Sequence, residues 1–143
     1  MKINNMTLVT YDNILAAYTE KHLPQKISYA ITRNIIAIEK ELEVYKRSLS
    51  KIVEAYKDYF VKDDNGNIKN LSVGIPEVDV EHMDDYIKEV DDLLSIELDV
   101  ELYKIDDNDF NYEDSERYDA MSAKDIIALQ TILCDKNTSD VKE

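Results

Sequence analysis

Apolar residues recur along the chain at spacings that separate helix from strand. Leu8, Tyr11, Ile14, Leu15 and Tyr18 predict a helix from about Thr7, which Pro24 ends, and a short strand at Lys2 to Asn4 precedes it. Ile31, Ile35, Ile38, Leu42, Tyr45, Leu49, Ile52 and Tyr56 then follow in alternating steps of four and three, a heptad-like stripe that predicts a long helix from about Ile27 to Phe60. At 1.5 Å per residue such a helix runs about 51 Å, longer than a compact domain of this size covers. Two readings stay open: a partner helix, so that the chain forms a homodimer through the stripe, or cover from other helices of the same chain.

Asp63-Asp64-Asn65-Gly66-Asn67 has the composition of a tight reversal, and a strand is expected after it at Ile68 to Val73. Gly74 and Pro76 break the chain before a helix from about Asp79 or Val80 to Leu94, with Val80, Met83, Ile87, Val90 and Leu94 on one face and mostly acids on the other. Ile96, Leu98, Val100 and Leu102 alternate with Glu97, Asp99, Glu101 and Tyr103, which predicts a half-buried strand from Ile96 to Ile105. A lone strand leaves its backbone groups unpaired, so it is expected to join one or both of the strands near Lys2 and Ile68. After an irregular acidic stretch, Ser122 with Asp125 three residues on resembles a capping box and opens a last helix through Ile126, Ile127, Leu129, Ile132 and Leu133. The expected fold is α+β and mainly helical: a long central helix, two or three further helices and a small antiparallel sheet. One domain is expected over residues 1–135, with a flexible tail at 136–143.

Composition narrows the picture by exclusion. The 143 residues are 44% hydrophobic, enough for one core without a staple. A single cysteine, Cys134, rules out an internal disulfide, and two histidines distant in sequence, His22 and His82, do not make a zinc site. No window has the eighteen or so apolar residues of a membrane span, and Met1-Lys2-Ile3-Asn4-Asn5 lacks the apolar core of a signal peptide, so a cytosolic protein without membrane contact is expected.

Charge changes the picture most. The formal net charge is −14, which repels a nucleic-acid backbone and disfavours direct binding to DNA or RNA. It is also unevenly spread. Residues 1–60 form a basic-to-neutral helical half with a net charge of +2, whereas residues 61–143 carry −16, and residues 77–119 alone carry −15. The acidic α/β half at 61–135 is therefore where a partner with a basic surface would be drawn.

Catalytic chemistry finds little to work with. Placing Gly66 at the sixth position of a calcium loop puts Val61 at the first and Ser72 at the twelfth, where carboxylates are needed, and the Asp106 to Asp119 cluster has no glycine. Two glycines in the whole chain exclude a phosphate-cradling loop. Cys134 with His22 or His82 is the remaining nucleophile pair, and a cysteine after Ile132 and Leu133 reads better as a small apolar residue. The adjacent pairs Asp84 and Asp85, or Asp91 and Asp92, point in different directions on a helix, unlike a converging acid and base. No enzyme is expected, and no catalytic, cofactor or metal residue is assigned. Ten tyrosines with no tryptophan favour interface chemistry: Tyr45 and Tyr56 read as core, and Tyr59, Tyr112 and Tyr118 as exposed.

Leu23-Pro24-Gln25-Lys26-Ile27-Ser28-Tyr29-Ala30-Ile31 running into Arg33-Asn34 and Glu39-Lys40-Glu41-Leu42, after the opening Met1-Lys2-Ile3-Asn4-Asn5 with Leu8, resembles a family of short, uncharacterised phage proteins from Gram-positive hosts. The order of the later elements is similar as well, and Leu-Pro-x-Lys-x-Ser-Tyr-Ala-Ile is its specific run. The resemblance implies a phage or prophage origin and action in the host cytoplasm; it supplies no activity and no site.

Two functions are carried forward. One is an inhibitor of a host defence factor, an anti-CRISPR or similar anti-defence protein, that imitates nucleic-acid charge and engages a nucleic-acid-binding effector. Its candidate contact residues are Asp84, Asp85, Asp91, Asp92, Glu97, Asp99, Glu101, Asp106, Asp107, Asp109, Tyr112 and Tyr118. The other is a morphogenesis or structural accessory protein acting through helix-mediated self-association.

Overall fold

The computed structural model describes residues 2–112 and 117–135; the tail expected at 136–143 lies outside the described residues, as do 113–116 in the acidic stretch. The fold is α+β and mainly helical. In chain order the elements are β1 (Lys2–Asn4), α1 (Asn5–Ala16), α2 (Gln25–Ala55), β2 (Asn70–Ser72), β3 (Ile75–Pro76), α3 (Val80–Leu94), β4 (Glu97–Asp99) and α4 (Ala123–Leu133).

Caps set most of the helix starts. The Asn4 side chain accepts the Thr7 N–H at 2.8 Å, so α1 begins directly out of β1. Asp79 does the same for α3 by accepting from His82 N, and Ser122 with Asp125 forms the reciprocal capping box of α4 that the sequence predicts. Helix α2 starts after Pro24, whose fixed φ fits a helix entrance, and ends at Ala55. That is five residues short of the expected end, because Tyr56 leaves helical geometry and residues 57–59 tighten into a single 3-10 turn.

The chain itself buries much of the stripe on α2. Ile31, Ile38, Leu42 and Tyr45 sit in the main core with Leu8 and Leu15 of α1, Leu129, Ile132 and Leu133 of α4, and Phe110. Leu49 and Ile52 bridge to a second, smaller core made by Val78, Tyr86 and Val90, against which Tyr56 and Phe60 pack. Each of these large aliphatics, fully buried, contributes about 1.5–3 kcal/mol relative to exposure. The chain itself thus buries Ile31, Ile38, Leu42 and Tyr45, while Ile35, Leu49, Ile52 and Tyr56 are covered in part.

The strands differ from expectation in length and pairing. β4 pairs antiparallel with β1 in the register Lys2 with Asp99, Ile3 with Leu98 and Asn4 with Glu97, and it ends at Asp99, not Ile105. Beyond β1 there is no ladder left to join, so the backbone groups of residues 103 and 105 find other partners. Asn34, fully buried on α2, accepts the Tyr103 N–H at 2.7 Å and donates to the Tyr103 carbonyl at 2.9 Å. The Ile105 N–H donates to the Leu133 carbonyl. The predicted alternation survives without a strand, since Val100 and Leu102 are buried and Glu101 and Tyr103 exposed, but Ile96 is half exposed. β2 does not reach β4 and instead folds back on β3.

Residues 59–79 close on themselves. Asp63 Oδ1 accepts the N–H groups of Asn65 and Asn67, and Gly66 takes the positive φ that the reversal requires. Val61 N–H donates to Glu77 O, Lys69 N–H to Val61 O and Glu77 N–H to Lys69 O, a triangle of bonds between three short segments. Tyr86 lies under this triangle with its hydroxyl donating to Pro76 O at 2.7 Å, which fastens α3 to it.

Candidate functional site

Helix α3 holds the largest share of the acids proposed to meet a partner. Tyr86, Val90 and Leu93 face the interior, and three-to-four spacing then turns Glu81, Asp84, Asp85, Asp91 and Asp92 outward, all exposed. Lys88, the helix's one basic residue, pairs with Asp92 at 3.2 Å. Glu89 is set apart on the flank toward α2, where it accepts the Tyr56 hydroxyl at 2.6 Å. That bond, with the neighbouring Asp85 charge, pushes the Tyr56 phenol up to about 12.

Glu97 and Asp99 on β4 and Glu101 just after it follow α3 directly and are exposed as well. The helix and this strand therefore carry the two acidic rows the sequence predicts, on consecutive elements.

The second acidic group has a different task. Asp106 accepts the Asn108 N–H and Asp109 accepts the Asp106 N–H, a capping box for the single 3-10 turn at 107–110. Asp109 also lies 3.6 Å from Lys26 Nζ. Burial, with the nearby Asp107 carboxylate adding to it, pushes the Cys134 thiol up to about 12. Phe110, buried, anchors the turn in the main core.

Tyr112 and Tyr118, expected at the surface, are half buried. They pack edge to face at 5.7 Å, Tyr118 also lies against His22, and the Tyr112 hydroxyl donates to Asp119 O. The reason is Asp119. Its carboxylate accepts the His22 N–H and its own N–H donates to His22 O, so the loop folds onto the α1–α2 connection and takes both rings along. Tyr59 is 38% exposed and stacks flat on His82, ring centres 3.6 Å apart, while His82 Nδ1 lies 2.6 Å from Asp79.

His22 and His82 face tyrosines, and Cys134 is buried, its thiol pushed up to about 12 by that burial and the nearby Asp107 carboxylate. Among the described residues no group of three His, Cys, Asp or Glu side chains could hold a metal ion, and no helix is long and apolar enough to cross a membrane.

Two features escape a reading of sequence pattern. Arg33, a helix-surface residue by spacing, donates to the Tyr29 hydroxyl and lies over the Tyr103 ring at 5.0 Å, joining α2 to the segment after β4. Asp12 has a carboxyl oxygen, Oδ1, that is buried with no hydrogen-bond partner; an aspartate among the apolar positions of α1 is the only sign of it in the sequence. No family model matches the chain, and no curated protein or solved structure matches it.

Proposed function

We propose that the protein is an acidic binding protein that docks the outer face of α3 onto a basic surface of a partner, in the setting its phage resemblance implies: inhibition of a host defence factor whose channel otherwise holds nucleic acid. One observation carries the reading. Glu81, Asp84, Asp85, Asp91 and Asp92 are exposed together on one straight element whose opposite face is pinned by Tyr86, Val90 and Leu93. A rigid row of carboxylates offers charge at regular spacing with little ordering cost on binding, and long-range attraction to Lys and Arg gives fast, salt-sensitive association. Glu97, Asp99 and Glu101 extend the field from the next element. Assembly through the long helix has less support, since the chain's own side chains pack against its apolar stripe and bury Ile31, Ile38, Leu42 and Tyr45.

The test is charge reversal. A variant with Asp84, Asp85, Asp91 and Asp92 changed to Lys, verified as folded by circular dichroism, is compared with the parent for binding to a purified host effector recovered by pull-down, at low and high salt and with competing nucleic acid. Lost binding in the variant and competition in the parent support the reading. Unchanged binding that ignores salt rejects it.

A further inference from the structure

The face of α2 opposite its buried stripe is chemically unlike the acidic half of the molecule. Lys26, Arg33, Lys40 and Arg47 follow one another at seven-residue steps, and Lys51 continues them one turn on. Tyr29, Ile36 and Val44 stand between these cations at three-to-four spacing, so all of them share one side of the helix. The whole row is exposed, Tyr29 to 49%, Ile36 to 66% and Val44 to 68%. Glu54 is the first acid to fall on it. Residues 26–51 hold six basic residues against Glu39, Glu41 and Glu43, a net charge of +3 within a chain of −14.

Two of the cations are engaged: Lys26 lies 3.6 Å from Asp109, and Arg47 pairs with Glu43 on the flank of the row. Arg33, Lys40 and Lys51 join no ion pair among the described residues. Arg33 is held in place by rings. It donates to the Tyr29 hydroxyl at 3.0 Å, its guanidinium lies 5.0 Å from the centre of the Tyr103 ring, and the two rings meet edge to face at 5.5 Å. A guanidinium fixed in this way, with N–H groups left over, is ordered in advance for a carboxylate, and Arg and Tyr are the residue types that carry much of the energy at interfaces.

We propose that this row docks an amphipathic helix of a partner protein, whose contact face carries carboxylates at seven-residue steps around aliphatic residues. The three heptads from Lys26 to Arg47 span about 32 Å, and two helices lying side by side repeat their side chains in the same steps, so each cation meets an acid without a change of register. Ile36 and Val44 favour this partner over nucleic acid, because they call for apolar surface between the charges. A DNA duplex also carries a charge about every 1.7 Å, against about 10 Å between these cations. Helix α3 packs on the opposite side of α2, through Leu49 and Ile52, so the row is separate from the α3 acids.

The probe is a fluorescent three-heptad helical peptide with glutamate and leucine at these steps on one face, and its counterpart has glutamine for every glutamate. Fluorescence anisotropy with the full-length protein should show saturable one-to-one binding of the acidic peptide. It should bind about tenfold or more tighter than the glutamine peptide, despite the net charge of −14, and weaken as salt rises. Lys40→Glu combined with Lys51→Glu, two exposed positions with no ion pair to lose, should abolish that preference in a protein that circular dichroism shows to be folded. Equal binding of the two peptides, a preference kept in the double variant, or tighter binding of a DNA duplex would each overturn the proposal. So would a dimer of the parent protein, seen by sedimentation, that the double variant dissolves, since a second copy would then cover the row. The ratio of acidic to glutamine peptide in the parent decides the matter even where the variant fails to fold.

Discussion

Helix α3 and the segment from Asp106 to Asp119 are both dense in acids, yet their carboxylates do different work. In α3 the backbone satisfies itself through regular helical bonds, so beyond the Asp79 cap, the Glu89 contact with Tyr56 and the surface pair of Lys88 with Asp92 the acids project into water. The described parts of the 106–119 segment hold only one 3-10 turn as regular structure, and their backbone N–H groups need other acceptors. Asp106 and Asp109 supply them within the 3-10 turn, and Asp119 supplies one to His22 on the α1–α2 connection. Equal charge density therefore does not mean equal availability to a partner. Where the backbone is irregular, a row of aspartates is first a source of hydrogen-bond acceptors.

The comparison breaks most readily at Phe110, the apolar anchor of the irregular segment. Phe110→Ala should destabilise the protein by about 3–5 kcal/mol, as an emptied aromatic site in a core does, seen as a lowered denaturant midpoint. A loss under about 1 kcal/mol would mean that the segment is not held to the core. Next in size, Asp109→Ala removes half of the capping box and the contact with Lys26, and should cost about 1 kcal/mol. If urea unfolding of this variant matches the parent, the contrast with α3 disappears.

A pH titration sharpens the same contrast at the next helix. Asp125 accepts from the Tyr18 hydroxyl at 2.7 Å and, in the capping box, from Ser122, and these bonds hold its pKa below the ordinary 3.8. A carboxylate with a lowered native pKa adds stability above its unfolded value and loses it as pH falls through the native one. The amides opening α4 should therefore exchange faster with solvent hydrogen as pH drops below about 3.8, and Tyr18→Phe should shift that loss to higher pH. An unchanged pH profile in Tyr18→Phe would show that the hydroxyl does not hold Asp125. The smallest effect on stability is expected at α3: reversing Asp84 and Asp91 to Lys should change the unfolding free energy by no more than about 0.5 kcal/mol, although partner association slows. A drop of about 2 kcal/mol there would place these acids among the structural ones.

Much of the fold is legible in local pattern. The step of four and three from Ile31 to Tyr56, the Ser122–Asp125 cap and the Asp63–Gly66 reversal each rest on residues within a turn or two of one another, so sequence spacing reports their geometry. What escaped depends on distant partners. The alternation from Ile96 to Ile105 is that of a strand, but strand length is set by β1, which offers only Lys2, Ile3 and Asn4. Nothing near Tyr103 announces that Asn34 will take its backbone bonds. The same holds for the candidate site. The outward row on α3 follows from helical spacing, whereas the structural roles of Asp106, Asp109 and Asp119 require the course of a loop.

The pairing of Lys2 with Asp99 also orders events in time. During synthesis β1 emerges before its partner, which lies 97 residues further on, and at about 5–20 residues per second a ribosome needs about 5–20 s to make that span. For that interval β1 is an unpaired edge followed by a helix whose apolar face has no complete core to enter. Helices α1 and α2 can meet meanwhile, since a short connection separates them, while the seam made by β1 and β4 closes only after the acidic helix has left the ribosome. A chain stalled before residue 97 would thus present β1 to whatever strand or chaperone is nearest.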